Sequence, residues 1–208
     1  KSGGNIIALG TPLWQKPMVH IDGRWTPLDR IMKDQAGQLP PHVLFNFTPD
    51  DIRGWIRSKG PNDGDATIET TNAGPAVGTR ALHITISRMI NWDTHGPTAI
   101  ERPFPSGHTM TVFSARGGPD TPQLSFEWRE KDGSRWIAVI ALTSEWRRYV
   151  LTPEDFHYWD SVPARSRDRF RSENAETFYI GLSASHTRSV TTGPHEYWIG
   201  PIGTAPDQ

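Results

Sequence analysis

Residues 124–139 of the chain read LSFEWREKDGSRWIAV, and this stretch carries the clearest structural signal in the sequence. Apolar and polar residues alternate on both sides of Asp132 and Gly133, which is the pattern of two half-buried strands. The Asp-Gly pair supplies the positive φ that a tight hairpin turn requires. Successive side chains of a strand point to opposite faces, so every second one belongs to the core and the others point away from it. The inward set is Leu124, Phe126 and Trp128, and the outward set is Ser125, Glu127 and Arg129.

Short segments of the same kind occur along most of the chain. The 18 Pro and 19 Gly are spread from end to end and leave few uninterrupted runs long enough for a helix. Strands are predicted at residues 43–47, 66–71, 80–87, 98–102, 109–115, 123–129, 136–142, 147–151, 177–183 and 196–202. Ten short strands separated by turn signals predict an all-β protein, folded as an antiparallel β-sandwich or jelly roll.

The first 40 residues differ from the rest of the chain. They include Trp14 and Trp25 but contain no predicted strand, and the sequence Leu-Pro-Pro at 39–41 indicates a boundary. We therefore expect residues 1–40 to be an N-terminal arm or inter-domain connector. Residues 41–208 are expected to form the β-sandwich, with the two tryptophans packing on it.

Composition and charge exclude several classes of protein. With 22 Lys and Arg against 23 Asp and Glu, the net charge is −1, which disfavours a nucleic-acid partner held by its phosphates. No apolar run approaches the ~20 residues of a membrane helix, so no membrane partner is expected. The absence of Cys excludes disulfides, thiolate nucleophiles and Cys-ligated zinc. The chain begins at Lys1 without a signal peptide, which predicts a processed or excised piece.

Five segments follow one another in a recognisable order. They read FNFTPDDIRGW at 45–55, GTRALHI at 78–84, EWRRYVLTPEDF at 145–156, FYIGL at 178–182 and YWIGPI at 197–202. Together they resemble the galactose-binding-like β-sandwich, the jelly roll of many carbohydrate-binding modules. The resemblance covers residues 43–204. It implies a module that binds a polysaccharide or oligosaccharide on the concave face of the sandwich.

The resemblance also raises the question of a structural calcium ion, because members of this fold often hold one near the first strand. Carboxylates from the first and last strands bind it in those proteins. In this chain the first-strand positions are Asn46 and Thr48, and the last strand carries no acid. Calcium prefers six to eight oxygen ligands, several of them anionic. The candidate ligands here are Asp50 and Asp51, together with Thr79 and backbone carbonyls.

The nine tryptophans are a surplus that one core does not need. They are Trp14, Trp25, Trp55, Trp92, Trp128, Trp136, Trp146, Trp159 and Trp198. Trp146 opens a predicted strand and is expected to be a core anchor. Exposed indoles stack on the C–H faces of sugars, whose hydroxyl groups bind polar side chains. Residues 91–95, which include Trp92, are predicted to form a polar-aromatic loop of this kind.

The predicted ligand-binding residues come from the hairpin and from two loops. Glu127 and Arg129 point away from the core, onto the face that the resemblance makes concave; the alternative is an ion pair on a solvated face. Three consecutive residues in a predicted loop, His157, Tyr158 and Trp159, cannot all be buried and form the best predicted platform. A further pair follows the strand at 177–183 and borders the same face. This pair is His186 and Arg188.

Three functions fit these features. The leading one is non-catalytic glycan binding by a module of a larger glycan-active protein that is secreted to the extracellular space or periplasm. No nucleophile-elbow, phosphate-loop or dinucleotide motif occurs, so no catalytic residue is predicted. The second is a jelly-roll polysaccharide lyase or hydrolase, with Arg129 neutralising a uronate and Tyr158 or His157 as base. The third is a structural accessory domain that packs on a catalytic domain through Trp14 and Trp25.

Overall fold

The computed structural model describes residues 18–21, 24–27, 35–159, 169–188 and 193–207. Within them lie fifteen strands and two 3-10 helices. The strands are β1 (Met18–Ile21), β2 (Arg24–Pro27), β3 (His42–Phe45), β4 (Trp55–Lys59), β5 (Ala66–Thr71), β6 (Ala81–Ile86), β7 (Trp92–Pro97), β8 (His108–Gly117), β9 (Gln123–Glu130), β10 (Arg135–Ala141), β11 (Arg147–Leu151), β12 (His157–Tyr158), β13 (Ala175–Ser183), β14 (His195–Ile199) and β15 (Ile202–Pro206). The helices are Pro153–Asp155 and Ser172–Asn174. No described helix is long and apolar enough to cross a membrane.

Two antiparallel sheets face each other across one core. The first sheet has six strands in the order β12-β10-β9-β13-β7-β4. The second has seven strands: six follow the order β3-β15-β8-β14-β6-β5, and the seventh, β11, also pairs with β8. The predicted all-β antiparallel sandwich is confirmed.

The central hairpin has the predicted geometry. Strands β9 and β10 pair antiparallel, with Trp128 opposite Trp136 and Glu127 opposite Ile137. Gly133 in the turn has φ +86°, a conformation that side chains disfavour. Because both tryptophans face the core, Glu127 and Ile137 share the outer face of the six-stranded sheet.

One strand of the six-stranded sheet lies where a loop was predicted. The prediction of a loop at 91–95 is wrong, because residues 92–95 belong to β7, and no strand forms at 98–102. The inward-facing residues of β7 are the fully buried Asp93 and the nearly buried His95, so the strand lacks an apolar alternation. Neighbouring β4, also not predicted, places Arg57 against Asp93 and thereby allows the polar strand to face the core.

The core is built from aromatic rings contributed by both sheets. Trp128 is completely buried, and its ring centroid lies 5.7 Å from that of Phe126 and 5.3 Å from that of Phe178. Its indole Nε1 donates a hydrogen bond of 2.8 Å to Thr111 Oγ1 on the opposite sheet. Thr111 is itself fully buried, so this bond satisfies two polar groups that no water reaches.

Trp146 is not the core anchor that the sequence suggested. It is half-buried and lies outside the core cluster. The guanidinium of Arg116, on the outer side of the seven-stranded sheet, lies 5.5 Å from the centroid of Trp146 and 4.0 Å from that of Trp198. The reason is that Trp146 precedes β11 instead of lying within it, so strand alternation does not direct its ring inward.

The N-terminal residues contain a hairpin that the sequence analysis did not predict. Strands β1 and β2 pair antiparallel as a separate two-stranded sheet. Trp14 lies outside the described residues, as does the side chain of Trp25, and their packing stays a prediction. Nearer the sandwich, the Ala36 carbonyl accepts a 2.6 Å hydrogen bond from Ser114 Oγ of β8. The division of the chain at residue 40 also stays a prediction.

The acidic turn after β3 uses its carboxylates for local structure. Asp51 Oδ2 accepts hydrogen bonds from the backbone N–H groups of Asn46 (3.1 Å) and Thr48 (2.9 Å), while Asp50 forms a salt bridge within the turn. The Thr79 hydroxyl is bound to its own loop. Among the described residues, no three His, Asp or Glu side chains are arranged to hold a metal ion. Calcium binding by this turn stays a prediction.

The contrast between two tryptophans gives a stability prediction. Trp128→Ala removes a completely buried indole and leaves Thr111 without its donor, so we expect a loss of ~3–5 kcal/mol in the free energy of unfolding. Trp146→Ala, at a half-buried surface position, should cost much less. Urea denaturation followed by circular dichroism measures both. Equal losses for the two variants would contradict the core described above.

Candidate functional site

A groove crosses the outer face of the six-stranded sheet. Its floor is a row of small residues on four neighbouring strands, and the strand register places these residues side by side. In order across the sheet they are Ser125, Gly181, Thr94 and Ser58. Ser125 Oγ donates a hydrogen bond of 2.9 Å to the Gly181 carbonyl, which ties two of the strands together. Because these side chains are short, they leave a cavity of about 320 Å³ above the sheet.

Two tryptophans stand at the rim of this groove. The Trp92 side chain projects from β7 with 40% of its surface exposed, and its Nε1 donates a 3.2 Å hydrogen bond to Ser58 Oγ of the floor. Trp159 follows β12 on the opposite side, where the His186 ring packs edge-on against it at 4.3 Å and 85°. Burial lowers the pKa of His186, with a partial offset from the nearby Glu127 carboxylate. The imidazole is therefore mainly uncharged at neutral pH.

Three charged side chains form one wall of the groove. Glu127 is almost fully buried, and Arg135 donates to both of its carboxylate oxygens, from Nε at 2.8 Å and from Nη2 at 2.6 Å. Arg129 donates from Nε to Glu127 Oε1 at 2.7 Å. Its guanidinium carbon lies over the Tyr179 ring, 4.1 Å from the ring centroid. The wall is thus a fixed carboxylate held between two guanidinium groups.

A buried aspartate fixes the position of Trp92. The Asp63 carboxylate accepts hydrogen bonds from four backbone N–H groups, at distances of 2.5 to 3.1 Å. The donors are Gly60, Ile90, Asn91 and Trp92. Burial opposes the charge on Asp63, but these four donors outweigh it and hold the pKa below its usual value. These hydrogen bonds therefore hold the backbone at the start of β7 in place, and they fix the position of the Trp92 indole at the rim.

The structure brings four of the seven predicted residues together in the groove. These are Glu127, Arg129, Trp159 and His186. His157 is exposed and lines an adjoining recess of about 410 Å³ with Val139. Arg188 is also exposed, and its backbone N–H donates to Gln123 Oε1 at 2.8 Å, beyond the groove lining. The ligand-binding roles of all seven residues stay a prediction.

The three consecutive residues of the expected platform all line the adjoining recess, but they do not share one face of the sheet. His157 and Tyr158 lie in a short strand, β12, so their side chains take opposite faces of the sheet. The Tyr158 ring packs edge-on against the buried Trp136, with centroids 5.4 Å apart, and belongs to the core side. Tyr158 is not among the residues that line the groove beside Arg129, and its role as the base of a lyase stays a prediction.

Sequence reasoning missed several lining residues. Arg135 could have been found, because the hairpin register puts it directly opposite Arg129. The floor residues Ser58 and Thr94 could not be predicted, because the sequence analysis did not recognise the strands that carry them.

A buried polar cluster lies beneath the floor, on the core side of β4 and β7. Arg57 donates from Nε to Asp93 Oδ2 at 3.1 Å. Burial raises the pKa of Asp93, and the Arg57 guanidinium opposes that effect. Burial lowers the pKa of neighbouring His95 to about 4, and Arg57 adds to the shift. Asp93 Oδ1 lies 3.6 Å from His95 Nδ1, but this carboxylate is already paired with Arg57, so burial dominates.

Comparison with known proteins identifies the fold. No family model matches the chain, and no curated protein matches it. A family 11 carbohydrate-binding module from Clostridium thermocellum, solved with a β-1,3-1,4-mixed-linked tetrasaccharide, superposes with a TM-score of 0.62 at 10% identity. The match covers 79% of this chain and 95% of that one. The chain has the fold of a carbohydrate-binding module.

The same fold occurs inside larger enzymes. An exo-β-agarase matches with a TM-score of 0.57 and 12% identity, over 80% of this chain but only 26% of the enzyme. A structure of carbohydrate-binding modules of the β-sandwich superfamily matches with a TM-score of 0.51 and 14% identity, over 81% of this chain and 63% of that one. At these identities, the likeness confirms the carbohydrate-binding-module fold, and the chemistry of the groove has to come from its own residues.

The cluster beneath the floor predicts a pH dependence of stability. His95 is neutral in the folded protein down to a pKa of about 4, whereas an unfolded His titrates near 6.5. The unfolded state therefore binds the proton first, and stability falls as the pH drops from about 6.5 to 4, by about 3 kcal/mol in total. His95→Gln should flatten this part of the profile. Urea unfolding at several pH values measures it, and an unchanged slope in the variant would contradict the assignment.

Proposed function

We propose that the groove binds a polysaccharide or oligosaccharide without chemical conversion. The observation that carries the proposal is the pair of indoles, Trp92 and Trp159, at the rim of a polar floor. Their faces provide stacking surfaces for the C–H groups of sugar rings. The floor hydroxyls of Ser58, Thr94 and Ser125 provide hydrogen-bond donors and acceptors for sugar hydroxyls.

The dimensions of the floor favour a chain of sugars over a single one. Neighbouring strands lie ~4.8 Å apart, so a floor that spans four strands is about 14 Å across. The row runs perpendicular to the strands, and an extended oligosaccharide would lie along it. The tetrasaccharide bound by the structurally similar family 11 module supports a ligand of this size.

We further propose that the chain is one module of a larger, secreted, glycan-active protein. The support is the agarase, of which the matching region is about a quarter of the chain. In such a protein the module would hold the polymer near a separate catalytic domain.

Alanine substitutions at the two rim positions test the binding proposal. Trp159→Ala and Trp92→Ala should each weaken binding by a factor of about five or more, since stacking on an aromatic ring contributes on the order of 1–3 kcal/mol. Trp146→Ala is the matched control, because it removes a half-buried indole from the other sheet. Isothermal titration calorimetry against a panel of oligosaccharides gives the dissociation constants.

The panel contains mixed-linked β-glucan, agarose, polygalacturonate and sulfated galactan oligosaccharides. All variants are first checked for folding by circular dichroism. If no glycan binds the wild-type protein, or if Trp146→Ala weakens binding as much as the rim variants, the proposal is wrong.

A further inference from the structure

We propose that the ligand of the groove is an anionic oligosaccharide, whose carboxylate or sulfate group binds Arg129. This inference rests on the proposed function and specifies its substrate class. It starts from a local charge that contrasts with the net charge of −1 for the whole chain.

The described residues that line the groove carry a net positive charge. They include one carboxylate, Glu127, and two guanidinium groups, Arg129 and Arg135. The lining imidazole, His186, is held mainly uncharged at neutral pH by its burial. One positive charge is therefore not neutralised by any of these side chains.

The two arginines share the carboxylate unequally. Arg135 donates through two nitrogens, Nε and Nη2, and forms a bidentate ion pair with Glu127. Arg129 donates through Nε alone. No described residue accepts a hydrogen bond from either Nη atom of Arg129, and 35% of its side chain is exposed. The Nη edge of Arg129 is thus available to a ligand in the groove.

The contact with Tyr179 prepares this edge for a planar or tetrahedral anion. The guanidinium lies against the phenol ring, and the Nε bond to Glu127 fixes its rotation. Arginine held in this way presents a rigid fork of N–H donors, which matches carboxylate and sulfate oxygens better than it matches a single hydroxyl.

The arrangement is also unfavourable in the absence of an anion. Arg129 and Arg135 are direct cross-strand partners in the β9–β10 register, and like charges opposite each other destabilise a sheet. One arginine would be enough to pair with Glu127. A bound anion would supply the second negative charge and relieve the repulsion between the two guanidinium groups.

Matched pairs of glycans test the inference. Oligogalacturonides are compared with their methyl esters, and sulfated galactan oligosaccharides with their desulfated forms, by calorimetry. We expect the charged member of at least one pair to bind ten-fold or more tightly, and its affinity to fall as NaCl rises from 50 to 500 mM. The pair that shows the effect identifies the anionic group as a carboxylate or a sulfate.

Arg129→Gln should abolish the difference in affinity between the charged and the neutral member of a pair. Arg116→Gln, on the other sheet, is the matched control and should keep the difference. Equal affinity for charged and neutral members, with no dependence on salt, would overturn the inference and leave the glycan-binding proposal standing. If Arg129→Gln does not fold, the glycan pairs and the salt series on the wild-type protein still show whether the groove prefers an anionic ligand. No binding of any glycan would instead overturn the proposed function itself.

Discussion

The buried ion pair between Arg57 and Asp93 is the interaction on which the groove depends. It joins β4 and β7, the two strands that supply half of the floor, and it lies on their core side, where apolar residues would be expected. The Asp93 side chain is fully buried, so loss of Arg57 would leave its charge without a partner at a cost of about 3–5 kcal/mol. With the pair in place, Thr94 and Ser58 face outward from the same strands and Trp92 reaches the rim.

The rest of the site follows from the alternation in the central hairpin. Trp128 and Trp136 face the core from β9 and β10. Because side chains alternate along a strand, Glu127, Arg129 and Arg135 lie on the outer face. The side chains that stabilise the sandwich and those that line the groove are therefore neighbours along one strand. The position of the groove wall is therefore set by the packing of the core.

Sequence reasoning succeeded where apolar residues mark the core and failed where polar residues do. The hairpin identified Glu127 and Arg129 correctly as outward-facing, because their neighbours are strongly apolar. The loop assignment of 91–95 failed because Asp93 and His95 occupy core-facing positions, where the Asp93 charge depends on Arg57, 36 residues away. Short strands such as β12 escape alternation arguments as well, so the sequence did not show that His157 and Tyr158 lie on opposite faces of the sheet.

Fold and chemistry make separate contributions to the functional conclusion. The sandwich is shared with carbohydrate-binding modules at 10 to 14% identity, and it supplies an open sheet face without specifying a ligand. The indoles, the floor hydroxyls and the arginine pair are properties of this chain. They favour a sugar polymer and, through the unneutralised charge, one that carries acidic groups.

The most direct test of the account is a titration of the ¹⁵N-labelled protein with an oligosaccharide, followed through the tryptophan indole N–H signals. The account predicts that the signals of Trp92 and Trp159 shift with saturation, while those of Trp146 and Trp198 on the other sheet do not move. Shifts confined to Trp146 and Trp198 would place the ligand on the opposite face and contradict the account.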